Sequence, residues 1–309
     1  MGLLPLLRPG RIAAMSGMWD AFACWIPLRP MRHCEGMAMT NIMIYYGAAS
    51  GQERSALRRL EPEGVMISHA TQNNTPLDGD HLTFVDCGGY HHMMNGSGEY
   101  DNSNEQYLRY ILKHRPHLFA LRDYPCEPDL LENLSRNVEE QQTRTLNDHI
   151  ALYDEVDGHP LADSAVAVVQ GWTREQYLSH LDALRDHGVL TEYVAVGSVC
   201  RRGYDEKIAE IVLALREALP ARCKLHAFGV KRNVLRFEEA VEALDSVDSA
   251  AYGYAESLLA CRRDDGESFT WRDCARAYLN WRHNLLRTMG SESLHDDRTS
   301  QSTLEMVDS

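Results

Sequence analysis

The chain has 309 residues, of which 44% are hydrophobic and 25% are charged, so we expect a globular protein with one large domain or two small ones. Its formal net charge of −14 argues against binding to nucleic acid through overall charge, and such a partner would require a local basic patch. The sequence contains no run of about 18 apolar residues, which excludes a membrane-spanning helix of ordinary length.

The eight cysteines are scattered along the chain and form no C-x-x-C pair. This pattern favours reduced thiols in a cytoplasmic protein over a disulfide framework. Residues 1–38 mix apolar residues with arginines and prolines but lack a signal-peptide pattern, and we interpret them as an extension that precedes the fold. Residues 290–309 are polar and without periodicity, which predicts a disordered tail. The single domain is therefore expected over residues 39–289.

Short apolar runs alternate with segments of helical periodicity across this domain. In chain order, the predicted strands are NIMIYY (41–46), GVMISHA (64–70), LTFVD (82–86), LFALRD (118–123), AVAVVQG (165–171), YVAVGS (193–198), KLHAFG (224–229) and DSVDS (245–249). The helical segments include one long stretch over 127–156. Strands rich in Val, Ile and Ala without polar alternation are typical of a parallel sheet covered by helices. Eight such units predict a (β/α)8 TIM barrel, with a doubly wound open sheet as the alternative.

The active site of such a barrel lies where the carboxyl ends of the strands meet. The polar and glycine residues at these ends are Asp86, Asp123, Gln170 with Gly171, Gly197 with Ser198, Gly229 and Asp248. One aspartate at a strand end is usually a turn or helix-cap residue. Three carboxylates and an amide at one mouth are costly to desolvate unless they bind something, and the set therefore predicts a binding site.

Several of these segments resemble motifs of the tRNA-guanine transglycosylase family, whose fold is a (β/α)8 barrel. FVDCGGYHH (84–92) is similar to the D-S-G-G-F-Q motif, VVQG (168–171) to the Gln-Gly signature, and YVAVGS (193–198) to the glycine-bearing sixth strand. HAFGV (226–230) and DSVDSAAYGYA (245–255) resemble the H-L-F-G and D-S-A-S-Y sequences of the archaeal branch, and ARAYLNWRHNLL (275–286) resembles the helix after the family's zinc loop. The resemblance extends over residues 62–288.

The resemblance implies base exchange, in which a guanine of a nucleic acid is replaced by a 7-deazaguanine without cleavage of the backbone. Asp248 then stands at the position of the nucleophile that forms a covalent intermediate, and Asp86 at that of the general acid and base. Residues implied to contact the base are Asp123, Gln170, Gly171, Gly197 and Tyr90, the last by stacking. Three alternatives stay open: Tyr90 as a wall residue of the mouth, Asp123 as a cap on the helix that starts near Glu127, and Gln170 as an ordinary loop residue.

The sequence departs from the family at the zinc loop. Gly266, Ser268 and Trp271 stand where three zinc-binding cysteines are expected, so we expect no zinc and no other cofactor. The remaining candidate ligands, which match no standard metal spacing and are interpreted as buried thiols and surface histidines, are Cys261, Cys274, His283 and His295. The adjacent His91 and His92 are expected in a loop, where two neighbouring rings do not easily face one ion.

We expect no extra RNA-binding domain after the barrel, and in this respect the sequence resembles the phage-type DNA 7-deazaguanine transglycosylases. This implies DNA and a 7-deazaguanine base as partners, a bacterial or phage-infected cytoplasm, and protection of DNA from restriction nucleases. Basic pairs expected to contact phosphates are Arg201 with Arg202, Lys231 with Arg232, and Arg262 with Arg263, unless they are solvated loop charges. The alternatives are a tRNA substrate, a non-catalytic partner subunit and an unrelated barrel hydrolase or lyase, and a homodimer is left open.

Overall fold

The fold is a closed barrel of eight parallel strands, seen in a computed structural model that describes residues 42–71, 81–95, 98–253 and 270–291. The strands are β1 (Met43–Gly47), β2 (Gly64–Ser68), β3 (Leu82–Asp86), β4 (Leu118–Ala120), β5 (Ala165–Val169), β6 (Tyr193–Val196), β7 (Lys224–Ala227) and β8 (Ser246–Ser249). They follow one another in chain order, and β8 pairs with β1. The predicted TIM barrel is confirmed, and the closing pair excludes the open sheet.

The helices are α1 (Gly51–Leu60), α2 (Gly89–Asn95), α3 (Asn104–His114), α4 (Pro128–Leu134), α5 (Val138–Val156), α6 (Arg174–Asp186), α7 (Asp205–Ala218), α8 (Glu238–Ala243) and α9 (Trp271–Thr288). Within the described ranges, no helix has both the length and the apolar composition needed to cross a bilayer. The predicted extension and nearly all of the predicted tail lie outside the described residues.

Two predicted segments differ from the structure. The segment that holds His91 and His92 is helix α2 and not a loop. The long helical stretch over 127–156 is two helices, because Ser135 adopts a left-handed conformation (φ 52°) and ends α4. A serine in the sequence does not predict this left-handed conformation, which is most often adopted by glycine.

The apolar strands are buried on both faces, as their sequences predict. All five residues of β5 are buried, and from Val166 to Val169 alternate residues join two different hydrophobic clusters. Val166 and Val168 pack in one cluster, whereas Ala167 and Val169 pack in the other. Because successive side chains of a strand point to opposite faces, this is the arrangement of a sheet with packed layers on both sides.

Helix α9 packs against α1 and carries the described part of the expected zinc-loop region. Trp271 is its first residue, and the Arg59 guanidinium carbon lies 4.5 Å from the centre of its ring. Farther along the helix, Cys274 is buried and His283 is exposed. The other residues named for this region, Gly266, Ser268, Cys261 and His295, lie outside the described residues.

Candidate functional site

Asp248 lies in β8 at the mouth of the barrel, and one of its carboxylate oxygens is held from two sides. The Gly229 N–H donates to Oδ1 at 2.7 Å, and Nε2 of His226 lies 3.2 Å from the same oxygen. Among the described residues, none makes a hydrogen bond to Oδ2. The side chain is 14% exposed, so the carboxylate is accessible with one oxygen anchored and the other available.

His226, on β7, is fully buried and links Asp248 to a chain of hydroxyl groups. Its Nδ1 lies 2.8 Å from the Ser246 hydroxyl, which lies 2.6 Å from the Tyr193 hydroxyl. An ionised carboxylate only accepts, so Nε2 carries the proton donated to Asp248, and Nδ1 accepts from Ser246. The Ser246 hydroxyl then accepts from Tyr193. This chain sets the tautomer of His226 and the orientation of Asp248.

Asp86 is the last residue of β3, and its environment favours the protonated carboxyl. Burial raises its pKa from 3.8 to about 6, and the negative charge of Asp248 adds to this rise. Hydrogen bonds from the Gly88 N–H and the Ser68 side chain act in the opposite direction. The two carboxylates thus lie near each other in contrasting surroundings: Asp248 has two donors on one oxygen, whereas Asp86 keeps its proton to a higher pH than an ordinary aspartate.

Asp123 follows β4 and forms a buried pair with Gln170, which follows β5. The Gln170 side-chain amide donates to Oδ2 of Asp123, and the Cys87 thiol donates to Oδ1 at 2.9 Å. Burial raises the pKa of Asp123 to about 7, even though both of these hydrogen bonds lower it. Asp123 does not cap the helix near Glu127: α4 has Glu127 at its N-cap position without a side-chain cap. The alternative role as a helix cap is therefore wrong.

Ser198 extends this polar network towards Glu127. Its hydroxyl lies 2.6 Å from Oε1 of Gln170 and 2.9 Å from Oε2 of Glu127, and it accepts from the Cys126 N–H at 2.7 Å. Ser198 adopts a positive φ of 54°, a conformation that non-glycine residues rarely hold outside functional or tightly restrained positions. Burial raises the pKa of Glu127. The network fixes the side chain of Gln170.

The two predicted glycines have different surroundings. A Cβ on Gly197 would overlap the side-chain amide of Gln170, so this glycine leaves room for the amide. A Cβ on Gly171 would lie 2.9 Å from the Tyr177 backbone nitrogen at the start of α6, so this glycine permits close packing of the helix against the strand end. The geometry thus favours a packing role for Gly171 over contact with a substrate.

Tyr90 is on α2, and the Arg201 guanidinium carbon lies 4.7 Å from the centre of its ring. Arg201 is exposed and Tyr90 is partly exposed, so the pair presents an aromatic face next to a cation at the mouth.

Arg202 differs from the other basic residues that were expected to contact phosphates. It is only 7% exposed, and its guanidinium donates to backbone carbonyls of Ser198, Gly171 and Trp172 and to the Tyr177 hydroxyl. Because these contacts use four of its five N–H donors and the side chain is buried, Arg202 is a structural residue of the loops after β5 and β6, and its expected phosphate role is corrected.

The second basic pair lies in the loop after β7. Lys231 is exposed and donates to the Arg202 carbonyl at 2.7 Å, and Arg232 is exposed. Both remain accessible for phosphate contact. Arg262 and Arg263 lie outside the described residues.

The barrel therefore brings four of the predicted residues into one site. The charge of Asp248 acts on Asp86, the charge of Asp86 acts on Asp123, and Asp123 is bonded to Gln170. Sequence reasoning gave no role to His226, although a histidine within an apolar strand, one position before Ala-Phe-Gly, is a polar signal in a segment expected to be buried.

Comparison with protein families places this sequence in a known family. The family model of DpdA, described as deoxypurine in DNA protein A, matches residues 67–304. Among curated proteins, none matches this sequence. The matched region spans β3 to β8 and α9, and so includes the strand ends that form the site. The chain belongs to the DpdA family, a tRNA-guanine transglycosylase-like family that acts on DNA.

Proposed function

We propose that the chain exchanges guanine in DNA for a 7-deazaguanine through a covalent intermediate on Asp248. The observation that carries this proposal is the contrast between two carboxylates at one mouth. Asp248 has one anchored and one available oxygen, whereas the pKa of Asp86 is raised to about 6. Nucleophile and proton donor are the two roles that displacement at an anomeric carbon requires.

In the first half of the reaction, Oδ2 of Asp248 bonds to C1′ as the bond from C1′ to N9 of guanine breaks. Charge develops on the departing base, and the protonated carboxyl of Asp86 transfers its proton to that base. In the second half, Asp86 accepts the N9 proton of the incoming 7-deazaguanine, N9 bonds to C1′, and Asp248 leaves as a carboxylate. One residue thus acts first as acid and then as base, as in a retaining glycosidase.

The base lies against the pair of Asp123 and Gln170 in this proposal. Lone pairs of Asp123 accept from N1–H and the exocyclic amine, while the second hydrogen of the Gln170 amide is donated to O6. Tyr90 provides an aromatic face for the purine ring. A target within a duplex has to leave the base stack first, which costs about a few kcal/mol.

The test is the incorporation of radiolabelled guanine and of radiolabelled 7-deazaguanine bases into duplex DNA and, in parallel, into tRNA. Label in DNA alone supports the proposal. Label in tRNA alone would mean that the substrate is tRNA and not DNA, while the proposed mechanism would stand. Label in neither nucleic acid would contradict the proposed reaction and favour a non-catalytic partner or an unrelated barrel enzyme.

Replacing Gly197 with alanine is expected to weaken binding of the free base about tenfold to a hundredfold. The new methyl group overlaps the Gln170 amide, and a displaced amide leaves buried polar groups unsatisfied at about 1–3 kcal/mol. The KM for labelled base measures the effect. Gly51→Ala is a matched control because a Cβ there meets nothing within 4 Å. Equal KM values for the two variants would contradict the role of Gly197.

Replacing His226 with alanine is expected to slow formation of the covalent intermediate about tenfold to a hundredfold, because Asp248 loses one of the two donors that orient it. The KM for DNA should stay unchanged, since His226 is fully buried behind the carboxylate and does not reach the nucleic acid.

The control is His149→Ala, which removes another fully buried histidine, on α5. Both variants should lose thermal stability, but only His226→Ala should lower the single-turnover rate. A similar rate loss in both would mean that the effect of His226 comes from stability alone.

A further inference from the structure

A groove of about 690 Å3 leads away from the base site over the loops after β4, β5 and β6. Tyr90, Glu127 and Arg201 line the end that adjoins the site, and Trp172, Tyr204 and Lys207 line the remainder. The groove is continuous with the base site through Glu127, whose carboxylate is bonded to Ser198, which is bonded in turn to Gln170. None of the roles described above uses its far end.

The far end exposes an aromatic ring to solvent. Tyr204 is 68% exposed and lies at the N-cap position of α7, where its side chain makes no cap hydrogen bond. Among the described residues, four large hydrophobic side chains are exposed, and two of them, Tyr204 and Met94, line this groove. Apolar surface is normally removed from water, so a ring held in the open beside a functional site suggests a flat partner.

Cations accompany the aromatic rings. Lys207 Nζ lies 5.0 Å from the centre of the Tyr204 ring, and Arg201 pairs with Tyr90 at 4.7 Å. Arg174, also exposed, is a third basic residue that lines the groove. Rings next to exposed cations are the combination that binds single-stranded nucleic acid, since bases stack on the rings and phosphates approach the cations.

Two exposed carboxylates, Asp129 and Glu210, also line the groove and offset part of this positive charge. Stacking therefore contributes more than charge here. A partner that offers only negative charge would be attracted weakly, whereas a strand with unpaired bases uses both the rings and the cations.

We propose that this groove binds the single strand of DNA next to the target nucleotide, with a neighbouring base stacked on Tyr204 and its phosphates near Arg174, Arg201 and Lys207. The proposal rests on the proposed base exchange in DNA and extends it: the strand lies unpaired on the enzyme beyond the exchanged nucleotide. Stacking on a ring does not depend on base identity, so the groove contributes affinity and not sequence preference.

The test measures binding of a fluorescently labelled single-stranded DNA oligonucleotide by anisotropy, without free base, together with label incorporation by the same preparations. Tyr204→Ala is expected to weaken binding about 5- to 100-fold, whereas Tyr204→Phe, which keeps the ring, should stay within about twofold of wild type. Leu279→Ala is the matched control, because Leu279 is also a large exposed hydrophobic residue but lies on α9 and does not line the groove. Lys207→Ala should reduce the salt dependence by about 0.7 in log–log slope.

The possible results separate the two proposals. If wild type incorporates label into DNA but Tyr204→Ala binds the oligonucleotide as tightly as Leu279→Ala, the groove proposal is overturned and the exchange reaction stands. If Tyr204→Ala changes only the sedimentation of the protein, the groove is a protein contact and the proposal also fails. Wild type that neither binds DNA nor incorporates label would overturn both proposals.

Discussion

Replacing Asp248 with asparagine is expected to abolish base exchange, with a loss in kcat of about 1,000-fold or more. The asparagine amide cannot form the ester bond to C1′ that the carboxylate forms. Its side-chain oxygen can still accept from the Gly229 N–H and from His226, so the mouth of the barrel should keep its shape. Label incorporation into DNA and the melting temperature together measure the effect.

A covalent intermediate gives this prediction a second and more direct readout. Wild-type protein mixed with DNA and denatured without incoming base should yield a protein–DNA adduct, and Asp248→Asn should yield none. Asp245→Asn is the matched control, because Asp245 lies three residues before Asp248 and is 41% exposed. Its carboxylate accepts a hydrogen bond from the Leu225 N–H, and the side-chain oxygen of asparagine can accept the same bond. An adduct that persists in Asp248→Asn would place the nucleophile on another residue.

The barrel could be predicted from the sequence because its strands carry strong local signals. β5 is an uninterrupted run of Ala and Val, a short run rich in β-branched residues that is typical of a strand in a sheet with packed layers on both faces. Several helices begin at capping boxes that are visible in the sequence, such as Ser103 with Gln106 and Thr173 with Gln176. The short helix α2 was missed because it has only seven residues and begins at the second of two consecutive glycines, Gly88 and Gly89, a pattern that indicates a turn.

The site was only partly predictable, because its hydrogen bonds join residues that are distant in the chain. The Cys87 thiol reaches Asp123 across 36 positions, and Ser198 reaches Glu127 across 71. No local pattern reports such pairs. Arg202 shows the same limit: two adjacent arginines look alike in sequence, yet one is exposed and the other is buried against backbone carbonyls.

Replacing Asp86 with asparagine is expected to slow base departure about 100- to 10,000-fold, the range that general acid catalysis contributes. In wild type, the first half-reaction requires protonated Asp86, whose pKa is raised to about 6 by burial and by Asp248. The single-turnover rate of adduct formation should therefore fall about tenfold per pH unit above pH 6. Asp86→Asn should show a low rate without that decline. A variant that keeps the decline would place the proton donor elsewhere.

The same substitution is expected to stabilise the fold at alkaline pH. The pKa of Asp86 is 3.8 in the unfolded chain and about 6 in the folded protein. Folding therefore favours the neutral form of the carboxyl. Below pH 3.8 both states are protonated and no penalty exists; between pH 3.8 and 6 only the unfolded state ionises, so stability falls as pH rises. Above pH 6 the loss is constant, at most about 3 kcal/mol.

Asparagine has no such ionisation, so Asp86→Asn should exceed wild type in free energy of unfolding at pH 8 and lose this advantage towards pH 4. Urea unfolding at the two pH values measures the difference, with Asp182→Asn, an exposed aspartate on α6, as the control. A variant less stable than wild type at pH 8 would show that the hydrogen bonds from Gly88 and Ser68 outweigh burial. We thus expect Asp86→Asn to gain stability and to lose activity. Burial of Asp86 destabilises the fold when the carboxyl is ionised, and the same burial raises the pKa to the value that proton transfer requires.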